Sequence, residues 1–472
     1  MTVIYSARWV LPIIAAPIQD GAVAIEGSTI IAVGPRLQLL RDFPNATVNE
    51  FVDAVILPGL VNTHSHLELT VMRGFLEKEE PDFFAWLGKL TAARLRMTDE
   101  DLFVSATWGA IEAARAGITT LGDSSSIATH SMRAMREVGV RGIVYQESFG
   151  PDPKLAPENV AKLLDQISQM RAWENGLVRA GVSPHAPYTV SAAQLEMVAR
   201  LAIDDKLPLM MHAAESKAEQ LFLAEGGGAF ADGLRQRGIG WQAPGVSTIR
   251  YLSDHGVLEA RPLLAHCINV DEADLELIKA ARAAIAHCPK SNAKLRHGHA
   301  PFTRFVQSGI NVGFGSDSVA SNNTCDILEE ARFATLLARA DWRSSPIVSE
   351  GSKALPSSCA RAGNRASETV SAEQALFAAT LGGACALGLD RHIGSLAPGM
   401  QADITIVSLR GAHQRPLSNP VDTLIFSSSG RDVILTMVDG KEIYRDKAIS
   451  TVSEPEIQGL AAGIRIKIDG LA

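Results

Sequence analysis

Cysteine is scarce in this chain: Cys267, Cys288, Cys325, Cys359 and Cys385 are five residues in 472, an odd number with no CxxC pair. That excludes a disulfide framework and points to reduced thiols in a cytoplasmic protein. Long hydrophobic runs are missing too. No stretch reaches the ~18 apolar residues of a membrane span, so a soluble protein is expected, without a membrane partner. The segment Trp9 to Ile18 is apolar and follows Arg8, but it contains Pro12 and Pro17 and lacks a clear cleavage site, so it reads as part of the N-terminal β-rich region. Positive charge is not in excess. A net charge of −8 argues against non-specific nucleic-acid binding, although a small anionic substrate could still be held locally. Internal repeats beyond a strand–helix alternation are also absent. At 46% hydrophobic and 20% charged residues, the chain has the composition of an ordinary globular protein.

What is present begins at Asn62-Thr63-His64-Ser65-His66, directly after the apolar run Val55-Ile56-Leu57-Pro58-Gly59-Leu60-Val61. Strand side chains alternate faces, so His64 and His66 point one way and Ser65 the other. Two imidazoles on one face at a strand end can share a metal ion, or can simply be hydrogen-bonded histidines. Four further apolar segments also end in a titratable residue: His212, His266, His287 and Asp317. Polar residues repeated at the ends of buried strands are the pattern of an active site on the top face of a β/α barrel.

Eight strands can be counted, at about 56–61, 118–122, 142–145, 179–183, 208–211, 262–265, 284–286 and 312–315. Helical patterns separate them, as over 99–116 and 192–201. The expected fold is therefore α/β: a (β/α)8 TIM-like barrel over residues 56–395, with a small β-sandwich built from both termini, 1–55 and 396–472. Residues 343–367 read as an irregular loop, and Ser371 with Gln374 as a capping box for the helix after it. Cys267 and Cys288 each follow a strand-end histidine on the opposite face and read as packing residues.

These pieces resemble the amidohydrolase superfamily of metal-dependent deaminases and chlorohydrolases. The resemblance rests on His64-Ser65-His66, His212-Ala213-Ala214-Glu215, His266-Cys267, His287-Cys288-Pro289 through Asn292, and Gly315-Ser316-Asp317 with the following Ser321-Asn322-Asn323. Within it the chain is most similar to the branch that deaminates adenine-type nucleosides, including S-adenosylhomocysteine and aminodeoxyfutalosine deaminases; chlorotriazine hydrolases and guanine deaminases are near relatives. The resemblance implies a homo-oligomer acting on a small molecule, with His185 reaching the substrate.

The residues themselves support a metal mechanism. His64, His66 and His212 with Asp317 offer three nitrogens and an oxygen, leaving one position for water, which suits one Zn(II) per chain, with Fe(II) or another divalent transition metal as alternatives. Such an ion can lower the pKa of bound water to about 7, with Asp317 accepting a proton. Glu215, three residues past His212, is the candidate general acid toward a ring nitrogen, and His266 can orient the attacking group or hydrogen-bond the tetrahedral centre. No bridging motif stands at the ends of strands 3 and 4, where Glu147 and His185 lie, so one metal is expected. Phe83 and Trp86 read as an aromatic lid over the substrate or as the packing face of a helix. His287 suits support of the site from behind the residues that line it, and His297 and His299 are either close to the substrate or exposed. Glu68 and Arg73-Gly74 point to different substrates within the branch. A guanine or triazine aminohydrolase, a cyclic-amide hydrolase and a binding-only barrel are the alternatives. The last should have lost ligands that are all present here.

Overall fold

A computed structural model describes residues 1–340 and 369–470; the irregular loop read at 343–367 lies outside the described residues. Among the described residues, sixteen strands form three sheets. In chain order they are β1 (Thr2–Val10), β2 (Ile18–Glu26), β3 (Thr29–Pro35), β4 (Thr47–Pro58), β5 (Leu60–Ser65), β6 (Ile118–Ser125), β7 (Arg141–Ser148), β8 (Val178–Pro184), β9 (Met210–Ala213), β10 (Leu263–His266), β11 (Ala284–His287), β12 (Asn311–Phe314), β13 (Ile404–Ser408), β14 (Val433–Val438), β15 (Lys441–Arg445) and β16 (Ala448–Ile449).

The two chain ends do meet. They share one eight-stranded sheet of order β16-β15-β14-β13-β4-β1-β2-β3, joined where β13 runs antiparallel to β4. Asp403, just before β13, takes hydrogen bonds from Arg141 Nε at 2.6 Å and Nη2 at 3.0 Å, a buried ion pair that ties this sheet to the first residue of β7. A buried, doubly bonded arginine–carboxylate pair fixes orientation more than it adds stability, since desolvation offsets much of the attraction.

The apolar run 56–61, expected to be one strand, is two. Ile56, Leu57 and Pro58 end β4 in the terminal sheet, and Leu60 begins β5 in the parallel core. Gly59 is the corner between them. A Cβ there would lie 2.0 Å from Thr119 Oγ1, so only glycine lets the chain pass β6 so closely. Both halves of the run are buried, which is why hydrophobicity alone does not reveal the break.

The core is two parallel four-stranded sheets, β5-β6-β7-β8 and β9-β10-β11-β12. Single parallel bridges link them, Val182 to Leu209 and Ser65 to Asp317. Helices cover the strands, which explains continuous apolar sequence rather than alternation. The helix read over 99–116 is Asp99–Arg115, started by a Thr98/Asp101 capping box; the one over 192–201 is Ala192–Asp204, capped by Ser191. The Ser371/Gln374 capping box forms as expected.

Candidate active site

The strand-end residues converge at the C-terminal edge of the two parallel sheets. His64 and His66 lie on the same side of β5, while Ser65 turns away and donates to Asp123 Oδ1 at 2.8 Å. Asp123 also accepts from Leu67 N at 2.8 Å, so it fixes the segment that carries both histidines. His64 Nε2 is 3.4 Å and His66 Nε2 3.5 Å from the same oxygen, Asp317 Oδ1. The other carboxylate oxygen accepts from Ser291 Oγ at 2.5 Å and Ser321 Oγ at 3.2 Å.

Two overlapping groups can hold a metal: His64 with His66 and Asp317, and His64 with His212 and His266. The four expected ligands are thus brought together around His64. His64 Nδ1 lies 3.0 Å from Met210 Sδ, and His212 Nδ1 lies 3.0 Å from the His185 carbonyl, which leaves Nε2 of each ring for the centre. His64 Nε2 is buried without a well-formed hydrogen bond, a state that costs stability unless a ligand is taken up there. A third group, Glu147 with His185 and His212, forms on the opposite flank. Glu147 stands in no bridging motif in the sequence, yet its Oε1 lies 3.9 Å from His66 Nδ1.

Burial sets the charges. It lowers His64 to about 4 and His185 to about 3, and it also lowers His66 and His212, so the imidazoles are neutral and able to ligate at pH 7. Burial opposes ionisation of Asp317, but the contact with His64 and the neighbouring imidazoles outweigh it and hold the carboxyl well below the usual range. Burial also depresses His266, yet Glu215, Asp317 and the bond to Asn292 bring it above the ordinary histidine value. On the far flank, burial together with Glu68 and Asp123 pushes Glu147 up to about 8.

Glu215 sits on the turn after β9. Ala214 takes φ +53°, and Glu219 receives Ala214 N at 2.8 Å and Glu215 N at 3.2 Å, fixing the turn from beneath. The Glu215 Oε1 atom is 3.7 Å from His266 Nε2 and 3.7 Å from His297 Nε2. His297 is therefore in the site. His287 is buried against Phe302 and Phe314.

Phe83 meets the His297 ring edge-on at 4.7 Å, and Trp86 stacks behind Phe83 at 6.1 Å, buried in the core. Of the two expected substrate contacts, Phe83 faces the site and Trp86 supports it. His185 packs against Phe149 at 4.7 Å, while Tyr188 stacks on Phe230 at 3.9 Å. Sequence reasoning missed Phe149 and Phe230, because neither stands in a motif. Glu68, one of the two substrate cues, is committed internally: it accepts from Ser125 Oγ at 2.8 Å, Ser126 Oγ at 2.6 Å and Ser126 N at 3.1 Å, and faces Arg94 Nε at 3.5 Å. Arg73, the other, is paired with Glu112 and the Asn323 carbonyl. Cys267 and Cys288 are buried thiols, raised by burial, as their packing role requires.

The amidohydrolase family model matches residues 55–443, spanning both parallel sheets and every residue of the candidate site. The chain belongs to the amidohydrolase family. Among curated amidohydrolase relatives, a 5-methylthioadenosine/S-adenosylhomocysteine deaminase of Pelotomaculum thermopropionicum is 32% identical over 94% of this chain and 93% of its own length. A 5'-deoxyadenosine deaminase of Methanothermobacter thermautotrophicus is 29% identical over 97% of this chain and 96% of its own. Among solved structures, an adenosine deaminase from Xanthomonas campestris with bound zinc superposes at TM-score 0.82 and 26% identity, covering 99% of this chain and 98% of that one.

Proposed function

We propose that this amidohydrolase is a zinc-dependent hydrolytic deaminase that replaces the 6-amino group of an adenine nucleoside with oxygen and releases ammonia. The observation that carries the reading is the Glu215 carboxyl, 3.7 Å from His266, beside the buried neutral imidazoles of His64, His66 and His212 and an ionised Asp317. Relatives named for adenine nucleosides over nearly the full chain support the substrate class.

One divalent ion held by His64, His66, His212 and Asp317 would supply Lewis-acid chemistry that makes water nucleophilic near neutral pH. The donor set fits zinc: three imidazoles, one carboxylate, and an orphaned His64 Nε2 aimed inward. Asp317 takes a proton from the attacking water, with Ser291 and Ser321 holding its second oxygen. Attack builds negative charge on the adjacent ring nitrogen, and Glu215 delivers a proton to it. His266, fixed through Nδ1 by Asn292 Oδ1 at 2.8 Å, presents Nε2 to the tetrahedral centre. On collapse the proton on Asp317 leaves with the amino group as ammonia, and Glu215 recovers its own from the hydroxyl on carbon. His185 and Phe83 border the rest of the ligand.

Arg73 and Arg94 are both committed to carboxylates, which favours a neutral 5′ substituent over the charged amino-acid tail of S-adenosylhomocysteine. The same reading takes the two parallel sheets as halves of one closed (β/α)8 barrel, supported by the Val182–Leu209 and Ser65–Asp317 bridges. It takes the terminal sheet as folded into a two-layer sandwich, supported by one hydrophobic cluster shared by β1, β2, β4, β13 and β14. A cytoplasmic homo-oligomer completes the proposal.

Adenosine, 5′-methylthioadenosine, 5′-deoxyadenosine, aminodeoxyfutalosine and S-adenosylhomocysteine should be tested in turn, following the purine absorbance shift and ammonia. Turnover of the neutral nucleosides is expected, fastest with a small 5′ group. If all five stay intact while guanine or a chlorotriazine is consumed, the adenine assignment is wrong and the metal chemistry stands.

A further inference from the structure

Two imidazoles, not one, face the carboxylate assigned to proton transfer. His266 Nε2 and His297 Nε2 each lie 3.7 Å from Glu215 Oε1, and both nitrogens are buried without a hydrogen-bond partner. Asn292 anchors both rings: its side-chain oxygen holds His266 Nδ1 at 2.8 Å, and its carbonyl accepts His297 N at 3.0 Å. The backbone aims His297 deliberately. Arg296 at φ +57° and Gly298 at φ +109° flank it, a double left-handed kink that turns the ring out of the loop and into the site. Phe83 closes over the other side of the ring.

From this we infer that His297 is a positioning residue for Glu215: its Nε2–H donates to Oε1 and holds the carboxyl at the ring nitrogen it protonates. The inference rests on the proposed role of Glu215 in proton transfer. A separation of 3.7 Å is too long for a hydrogen bond, so the contact tightens when substrate fills the space between Glu215 and Phe83. Once Glu215 has given up its proton, the His297 N–H also steadies the new carboxylate in a dry site. Loss of this hold lets the acid swing away, a displacement worth up to about 100-fold in rate.

The test is a double-mutant cycle on the zinc-loaded protein: His297→Ala and His297→Gln, each alone and combined with Glu215→Gln, with metal content and thermal unfolding measured for every variant. His297→Ala is expected to lower kcat about 10- to 100-fold with little change in KM, while His297→Gln, which keeps a donor, recovers part of the loss. In the Glu215→Gln background the His297→Ala effect should shrink to within about threefold, because the group it positions is gone. Equal losses in both backgrounds, or wild-type kcat in folded, zinc-loaded His297→Ala, overturn the positioning role. If His297→Ala fails to fold, His297→Gln decides: an equal loss in both backgrounds again overturns it. Glu215→Gln with wild-type turnover instead sinks the underlying assignment, whatever His297 does.

Discussion

The two parallel sheets aim their functional side chains by different means. Strands β5 to β8 run six to eight residues, and between His64 and Tyr188 no non-glycine residue takes a positive φ. Strands β9 to β12 run only four residues each, and Ala214, His266, Cys267 and Asp317 all turn left-handed at or just past their ends. Each such residue costs on the order of 1 to 3 kcal/mol. The first sheet thus offers ligands by regular strand alternation, and the second bends its backbone sharply to bring acid, base and imidazoles to one point. The proposed metal ligands come from both sheets, whereas the groups proposed for proton transfer belong to the strained one.

Removing a shared ligand breaks both halves together and should have the largest effect. Asp317→Asn keeps the shape but removes the one negative charge the proposed ligands offer the ion; zinc content by elemental analysis is expected to fall well below one per chain, with turnover down on the order of 1000-fold or more. Retained zinc and activity within tenfold of wild type would exclude Asp317 as a ligand.

Separating the halves comes next. Glu215→Gln leaves every proposed ligand in place, so zinc should stay near one per chain while kcat drops about 100-fold or more. Loss of metal here would mean that the turn after β9 supports binding as well as chemistry. A smaller effect is expected for Asn292→Ala, which frees His266 Nδ1 but removes no group facing the carbon under attack: about 10-fold or somewhat more in kcat, with metal retained. Unchanged kcat would show that His266 needs no anchor.

The same contrast explains what the sequence could and could not reveal. His64 and His66 are legible because period-two alternation is a local rule, and His212, His266 and Asp317 because each closes an apolar run. His297 was visible only as a histidine in a glycine-containing loop; its direction depends on two left-handed residues and a carbonyl five positions back. The Pro58-Gly59 corner hid inside an apolar run buried on both sides, and only the approach of Thr119 reveals why a glycine stands there. Phe230 reaches Tyr188 from the helix Gly228–Gln236, a contact that no pattern within that helix announces. That Glu68, a substrate cue by resemblance, spends its oxygens on Ser125 and Ser126 is likewise visible only in the folded chain.

The smallest expected effect concerns the support beneath the strained turn. Glu219 accepts from Ala214 N, Glu215 N and Thr248 Oγ1, and burial raises it to about 7 against those bonds. Its folded value lies above the ordinary 4.5, so the folded protein binds the proton more tightly than the unfolded chain does. The stabilisation this gives is complete below about pH 4.5 and fades as pH rises through about 7. Glu219→Gln cannot titrate. It keeps one amide oxygen for the turn, so the variant should be less stable than wild type at pH 5, by about 1 to 3 °C in Tm, with the gap narrowing toward pH 8. Thermal unfolding of both zinc-loaded proteins across that range measures the difference directly, with all other titrating groups common to the pair. Parallel Tm curves from pH 5 to 8 would show that Glu219 stays ionised, and that the turn carrying Glu215 rests on a charge rather than on a carboxylic acid.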